Sequence, residues 1–138
     1  MEIQFFIPLE KIPTVTAQEK RIAVKNGKPV VYMDNRLKAV KQLYLAQLMG
    51  MQPPQPLAGP IRLHIRWCFA TNKPSLYGAP KVTKPDTDNM IKLFKDCMTE
   101  VGFWKDDAQV FSEINEKMWG PICGIWVNVI EVKEGRNE

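Results

Sequence analysis

The chain is poor in the features that mark several protein classes. It has three cysteines, Cys68, Cys97 and Cys123. Their odd number and their spacing fit neither a disulfide framework nor a zinc site, so free thiols in a reducing cytoplasm are expected. Long hydrophobic runs are missing: no window approaches the ~20 apolar residues of a membrane-spanning helix, and no membrane partner is expected. Met1-Glu2-Ile3-Gln4-Phe5-Phe6 lacks the basic start and apolar run of a signal peptide. No internal repeat or low-complexity tract is visible. Histidine occurs once, at His64. It falls on the polar side of an alternating stretch, where a hydrogen-bonded residue is a simpler reading than a general base.

What is present fits one domain over residues 1–138. Of 138 residues, 45% are hydrophobic and 4 are Trp, enough for a sizeable core. Lys and Arg total 19 against 15 Asp and Glu, a net charge of +4, which favours an anionic partner.

The chain punctuates itself clearly. Ile3 to Ile7 reads as a strand stopped by Pro8. Arg21 to Val24 and Val30 to Met33 flank Lys25-Asn26-Gly27-Lys28-Pro29, and Asn-Gly between apolar runs predicts a hairpin. Its tip is basic, through Lys20, Arg21, Lys25 and Lys28, which serve either solubility or DNA phosphates. Asp34 or Asn35 caps a helix to about Met49, with Leu37, Val40, Tyr44 and Leu48 on one stripe and Gly50 as its stop. Pro53, Pro54 and Pro56 form a stiff link. Ile61 to Ala70 alternates strictly, with Ile61, Leu63, Ile65, Trp67 and Phe69 opposite Arg62, His64, Arg66 and Cys68. Thr71 to Thr83 reads as a mobile loop. A second helix begins near Pro85 or Asp86, buries Ile91, Phe94, Met98 and Val101, and ends at Gly102. Val110 to Trp119 is a strand of ragged alternation, and Ile122 to Val132 is a cleaner one. This order predicts a mixed α+β domain of two layers, with two helices packed on one sheet.

The chemistry concentrates in Lys84-Pro85-Asp86-Thr87-Asp88-Asn89 and in Asp106-Asp107 further on. Carboxylates sharing a small volume repel one another unless cations neutralise them. At a helix start, the free backbone N–H groups keep Asp86 and Asp88 ionised. Hard oxygen ligands select Mg²⁺, with Mn²⁺ as a substitute. Lys92, one turn beyond Asp88, can pair with it or hold a substrate phosphate. Asn89 would orient a carboxylate. Divalent cations held there would activate water and stabilise the leaving 3′ oxygen of a phosphodiester. Asp-x-Asp is also a common cap and Asp-Asp a common solvated turn. Together, and with Lys92 and basic flanks, they point to a metal-dependent nuclease.

Lys84-Pro85-Asp86-x-Asp88-Asn89-x-x-Lys92, then Asp96, then Gly102-Phe103-Trp104-x-Asp106-Asp107-x-Gln109-Val110, resembles the RusA family of Holliday junction resolvases. These are small endonucleases, often carried by phages or prophages. The match is dense from Lys84 to Val110 and collinear upstream, whereas Pro8 to Lys28 matches less closely. The resemblance implies a homodimeric, Mg²⁺-dependent enzyme of DNA recombination and repair. It would nick opposed strands of a four-way junction, leaving 5′-phosphate and 3′-hydroxyl ends. It places catalytic, metal-holding carboxylates at Asp86, Asp88 and Asp107 and an essential lysine at Lys92, with Asp106 the lesser acidic position.

One difficulty arises from length. A helix from Asp86 to Val101 spans roughly 22 Å, and Asp107 lies beyond its far end. Either the helix stops early, near Cys97, or Asp107 reaches the Asp86/Asp88 pair of a second subunit. Phosphate contacts are expected from Lys20, Arg21, Lys25, Lys28, Lys73, Lys81 and Lys84. Phe103 and Trp104 are either core or a junction wedge. The competing readings are a non-catalytic DNA-binding protein of prophage origin and a metal nuclease for other branched nucleic acids.

Overall fold

Alternation along one strand sets the architecture. In the computed structural model, which describes residues 1–14, 20–33 and 35–133, the strict period of Ile61 to Ala70 becomes the central strand of a mixed sheet. The elements are β1 (Glu2–Pro8), β2 (Lys20–Lys25), β3 (Lys28–Met33), α1 (Asn35–Leu48), β4 (Ile61–Ala70), α2 (Thr87–Val101), β5 (Val110–Gly120) and β6 (Gly124–Glu131). The main sheet has the order β1-β6-β4-β5. β4 pairs antiparallel with β6 and parallel with β5, and β1 closes the other edge against β6. β2 and β3 form a separate two-stranded sheet. Their turn has φ of 52° at Asn26 and 74° at Gly27, the doubly left-handed turn that Asn-Gly predicts.

The two helices cover one face of the main sheet. Leu63, Ile65 and Trp67 of β4 and Ile125, Val127 and Val129 of β6 are buried beneath them. Phe94 of α2 joins the layers. Its ring meets Tyr44 of α1 edge-on at 5.0 Å and Trp67 of β4 at 5.6 Å. This is the α+β, two-layer arrangement the sequence pattern predicts.

Three details bear on the site. α2 does not stop near Cys97. It continues to Val101, where Gly102 at φ 105° receives the chain and its N–H reaches the carbonyls of Met98 and Thr99. β6 begins at Gly124 and not at Ile122; the paired strand β1 runs so close there that a Cβ on Gly124 would lie 2.3 Å from the Ile7 carbonyl oxygen. The segment expected to be a mobile loop is tied down: Pro80 bridges Met118 on β5, and Trp119 N–H donates to the Ala79 carbonyl at 3.0 Å.

The opposite sheet face carries the polar positions of β4. His64 Nε2 lies 2.5 Å from Glu116 Oε1 on β5, and Arg66 Nε donates to the same oxygen at 3.1 Å. Both side chains also contact Trp126: the Arg66 guanidinium lies 4.9 Å over its ring, and His64 meets it edge-on. The lone histidine is therefore engaged in a network on the face away from the helices.

Replacing Phe94 by Ala should destabilise the protein by about 3–5 kcal/mol, because it empties the contact between both helices and the sheet. Urea denaturation measures this. A second expectation concerns acid. The His64 hydrogen bond, and then Arg66, hold the Glu116 carboxyl below its ordinary value of 4.5. A depressed carboxylate stabilises the fold above its unfolded pKa, and that contribution is lost as pH falls through the folded one. The melting-temperature gap between wild type and Glu116→Gln should be full above pH about 4.5 and shrink below it. A gap independent of pH would remove the ion pair as its cause.

Candidate functional site

The Asp86–Asp88 pair is built by the start of α2. Asp86 occupies the N-cap position in extended conformation, at φ −76° and ψ 142°, yet its side chain makes no capping bond. Asp88 lies in the first turn, and both are exposed. Neither carboxylate has a side-chain partner among the described residues. The helix start places its positive dipole end and free N–H groups beside them. Lys92 follows one turn later but leans away. Its ammonium lies 4.0 Å from Asp96, with 64% of its side chain exposed.

Asp107 is built at the other end of the same helix. Phe103 and Trp104 are fully buried after Gly102, so they belong to the core and not to a junction wedge. Trp104 Nε1 donates to Thr99 Oγ1 at 2.7 Å, and Leu57 N–H donates to the Phe103 carbonyl. A short 3-10 turn, Asp107–Gln109, then opens under a reciprocal cap. Asp106 Oδ1 accepts from Ala108 N–H, and Gln109 Oε1 accepts from the N–H groups of Lys105 and Asp106. Gln109 Nε2 anchors the turn to the carbonyls of Leu57 and Gly59. Asp106 is consumed in this cap. Asp107 beside it is exposed and without a partner among the described residues.

Two independent rulers separate Asp107 from the pair. The 15 residues of α2 span about 22 Å. Alongside, Asn115 on β5 bonds the Thr87 carbonyl, while Asp107 opens the three-residue turn that precedes Val110, the first residue of β5; the five residues of strand from Val110 to Asn115 span roughly 17 Å. Among the described residues, no three His, Cys, Asp or Glu side chains converge on a point that could hold a metal ion. One chain thus brings Asp86 and Asp88 together and leaves Asp107 at the opposite end. The donors fit Mg²⁺ in kind: all are exposed carboxylates free of other partners, and Mg²⁺ is commonly held by one or two carboxylates with water and phosphate oxygens.

The sequence reading overlooked the side of β5 that faces α2. Its residues Glu113, Asn115, Lys117 and Trp119 lie opposite Leu63, Ile65, Trp67 and Phe69 of β4. Each grips the helix or the segment before it. Glu113 pairs with Lys95 at 3.0 Å. Asn115 Nδ2 donates to the Thr87 carbonyl at 2.9 Å, while its Oδ1 accepts from Trp67 Nε1. Lys117 Nζ donates to the carbonyls of Thr83 and Pro85. The rings of Trp119 and Phe69 hold the Lys81 ammonium at 5.3 and 4.8 Å. Lys81 Nζ in turn donates to Thr83 Oγ1 at 2.6 Å and to the Lys84 carbonyl. Burial, and then the Lys117 charge, hold its pKa below the usual lysine value. The signal available in the sequence was the ragged alternation of this strand.

The remaining basic candidates are dispersed. Lys73 and Lys84 are exposed on the segment leading to the acidic pair, and Lys28 is exposed at the hairpin turn. The side chains of Lys20, Arg21 and Lys25, and residue Asp34, lie outside the described residues.

Comparison with known proteins identifies the family. The family model for endodeoxyribonuclease RusA matches residues 12–130, which include both acidic segments. The crossover junction endodeoxyribonuclease of Lactococcus phage r1t is 30% identical over 112 residues, covering 80% of this chain and 83% of the phage protein. An acidic pair at a helix start, a third unpartnered carboxylate beyond its end and a match across nearly the whole chain have one common account: the chain belongs to the RusA family of endodeoxyribonucleases.

Proposed function

We propose that this chain is the subunit of a homodimeric, Mg²⁺-dependent endonuclease that resolves four-way DNA junctions. It makes paired symmetric nicks that leave 5′-phosphate and 3′-hydroxyl ends, in recombination and repair. Family membership and the name of the phage relative support the substrate class. The observation that carries the reading is the placement of three exposed, unpartnered carboxylates at the two ends of an unbroken α2.

That placement favours a site shared between subunits. A two-fold axis that sets two α2 helices antiparallel brings the Asp107 of each subunit beside the Asp86 and Asp88 of the other. Two such sites, related by the axis, match the two-fold symmetry of a four-way junction. Asp86, Asp88 and Asp107 would hold Mg²⁺, which would supply activation of a water and stabilisation of the leaving 3′ oxygen. The chain's own contribution is positional. Asp86 and Asp88 hold their side of the cation site, and Lys92, on an exposed turn and only loosely paired, swings from Asp96 to a phosphate oxygen. Lys28, Lys73 and Lys84 bind backbone phosphates, with Lys20, Arg21 and Lys25 assigned there from the sequence alone. Junction affinity therefore falls steeply with salt. Among the described residues, no helix is long and apolar enough to cross a membrane.

The direct experiment incubates the protein with labelled four-way junction, fork and plain duplex, with and without Mg²⁺. Cutting confined to the junction and to Mg²⁺ is expected. Binding without cutting would sink the enzyme reading, and equal cutting of duplex would sink the junction reading. Asp86→Asn should abolish cutting while junction binding persists, since a cation ligand and not a DNA contact is lost.

The shared site has its own test. In a heterodimer of Asp86→Asn and Asp107→Asn subunits, a shared arrangement leaves one site intact and strips the other of both carboxylates. The junction should then receive single nicks, although each parent homodimer is inactive. No nicking at all would place each site within one chain.

A further inference from the structure

The segment that delivers Asp86 and Asp88 has little backbone support of its own. Among the described residues, no backbone–backbone hydrogen bond involves residues 82–85. On one side, Lys81 N–H bonds the Lys117 carbonyl; on the other, the Asp86 carbonyl receives Met90 N–H at 3.4 Å. Between these points the carbonyls of Thr83, Lys84 and Pro85 are held by two ammonium groups, those of Lys81 and Lys117. Two residues beyond Pro85, the Thr87 carbonyl is held by Asn115.

We propose that Lys117, assisted by Lys81, is a positioning residue for the Asp86–Asp88 pair: its ammonium fixes the Thr83–Pro85 backbone and so sets where the two carboxylates stand. The inference rests on the metal-dependent reading proposed above. Three features set this ammonium apart from a lysine awaiting DNA. It reaches two carbonyls at once, Thr83 and Pro85, immediately ahead of Asp86. It extends from a strand of the main sheet, so its own base is fixed by pairing to β4, with Lys117 opposite Trp67. Its neighbour Lys81 is packed against two rings, a site suited to a fixed cation and not to a swinging one. A cation bonded to these carbonyls also lowers the repulsion between the adjacent carboxylates without occupying their oxygens. Supporting residues of this kind typically change metal affinity 10–100-fold when lost.

The test uses full-length Lys117→Met and Lys117→Arg. The Mg²⁺ concentration for half-maximal junction cleavage should rise about tenfold or more in Lys117→Met. Mn²⁺ binding to the protein alone, by calorimetry, should weaken by a similar factor. Junction affinity in EDTA should change less than about twofold, since no phosphate contact is lost. Lys117→Arg, which can still donate to both carbonyls, should restore most of the ion affinity. Three outcomes overturn the proposal: unchanged ion dependence in Lys117→Met, no rescue by Arg, or a loss of junction affinity with a shallower salt slope, which would make Lys117 a phosphate contact. If Lys117→Met does not fold, Lys81→Met carries the same test, since its side chain still packs against Phe69 and Trp119. Wild type that fails to cut with Mg²⁺ defeats the functional reading itself. Wild type that cuts beside a variant of normal ion dependence defeats the positioning role alone.

Discussion

Helix α2 is a rigid spacer between like charges, and much of the molecule is arranged around that fact. Asp86 and Asp88 stand at one end and Asp107 just past the other. Carboxylates gathered in one place without a cation raise one another's pKa and destabilise the fold. With the length of a helix between Asp107 and the other two, the repulsion of a third carboxylate is kept away from the Asp86–Asp88 pair within the subunit. The apolar face of α2 keeps the spacer straight and unbroken: Ile91, Phe94 and Met98 are buried along it, and Gly102 ends it only after Val101. Had the helix broken near Cys97, Asp107 could have folded back onto the pair within one chain. Continuity of the helix and division of the carboxylates are the same structural fact.

A spacer must also be held at a fixed height, and β5 does this with polar residues on the side that faces α2. Inner-face polar groups are costly unless each has a partner. Here each has one: Glu113 with Lys95, Asn115 with Thr87 and Trp67, and Lys117 with Thr83 and Pro85. Apolar side chains would pack the helix equally well but would tolerate sliding along the strand. Directed bonds to particular carbonyls do not. The strand thereby fixes the register of α2 against the sheet, and with it the height of the acidic pair.

The sequence made most of the elements legible because their signals are local. The Asn26-Gly27 turn, the alternation of β4, the stripe of α2 and its glycine stop depend on neighbours within a few residues. So does the Asp106–Gln109 cap, written as acid and amide three apart. The ragged alternation of β5 was visible, but its meaning was not. A polar residue at an inward position looks like noise until the carbonyl that it bonds is known, and that carbonyl lies some 30 residues away. The surroundings of Lys81 were hidden for the same reason. On a loop rich in lysine it reads as a phosphate contact, and only the fold shows its ammonium against the rings of Phe69 and Trp119. Strand order was equally out of reach, since parallel pairing of β4 with β5 depends on how α2 crosses between them.

Adjacent acids provide the sharpest distinction between structure and chemistry. Asp106 and Asp107 are neighbours in one turn, and composition treats them alike. Asp106 accepts a backbone N–H and completes a reciprocal cap, as an acid kept for folding would. Asp107, one residue on, accepts nothing from the described residues and faces solvent. The same contrast holds at the start of α2, where Asp86 occupies a capping position and leaves the cap unmade. An N-cap aspartate that bonds its helix contributes about 1 kcal/mol. That stabilisation is unused at Asp86, and Asp88 and Asp107 are also without partners among the described residues, which fits the proposed role of all three as cation ligands. On that proposal, acids at opposite ends of one helix would share a single cation only where two helices meet.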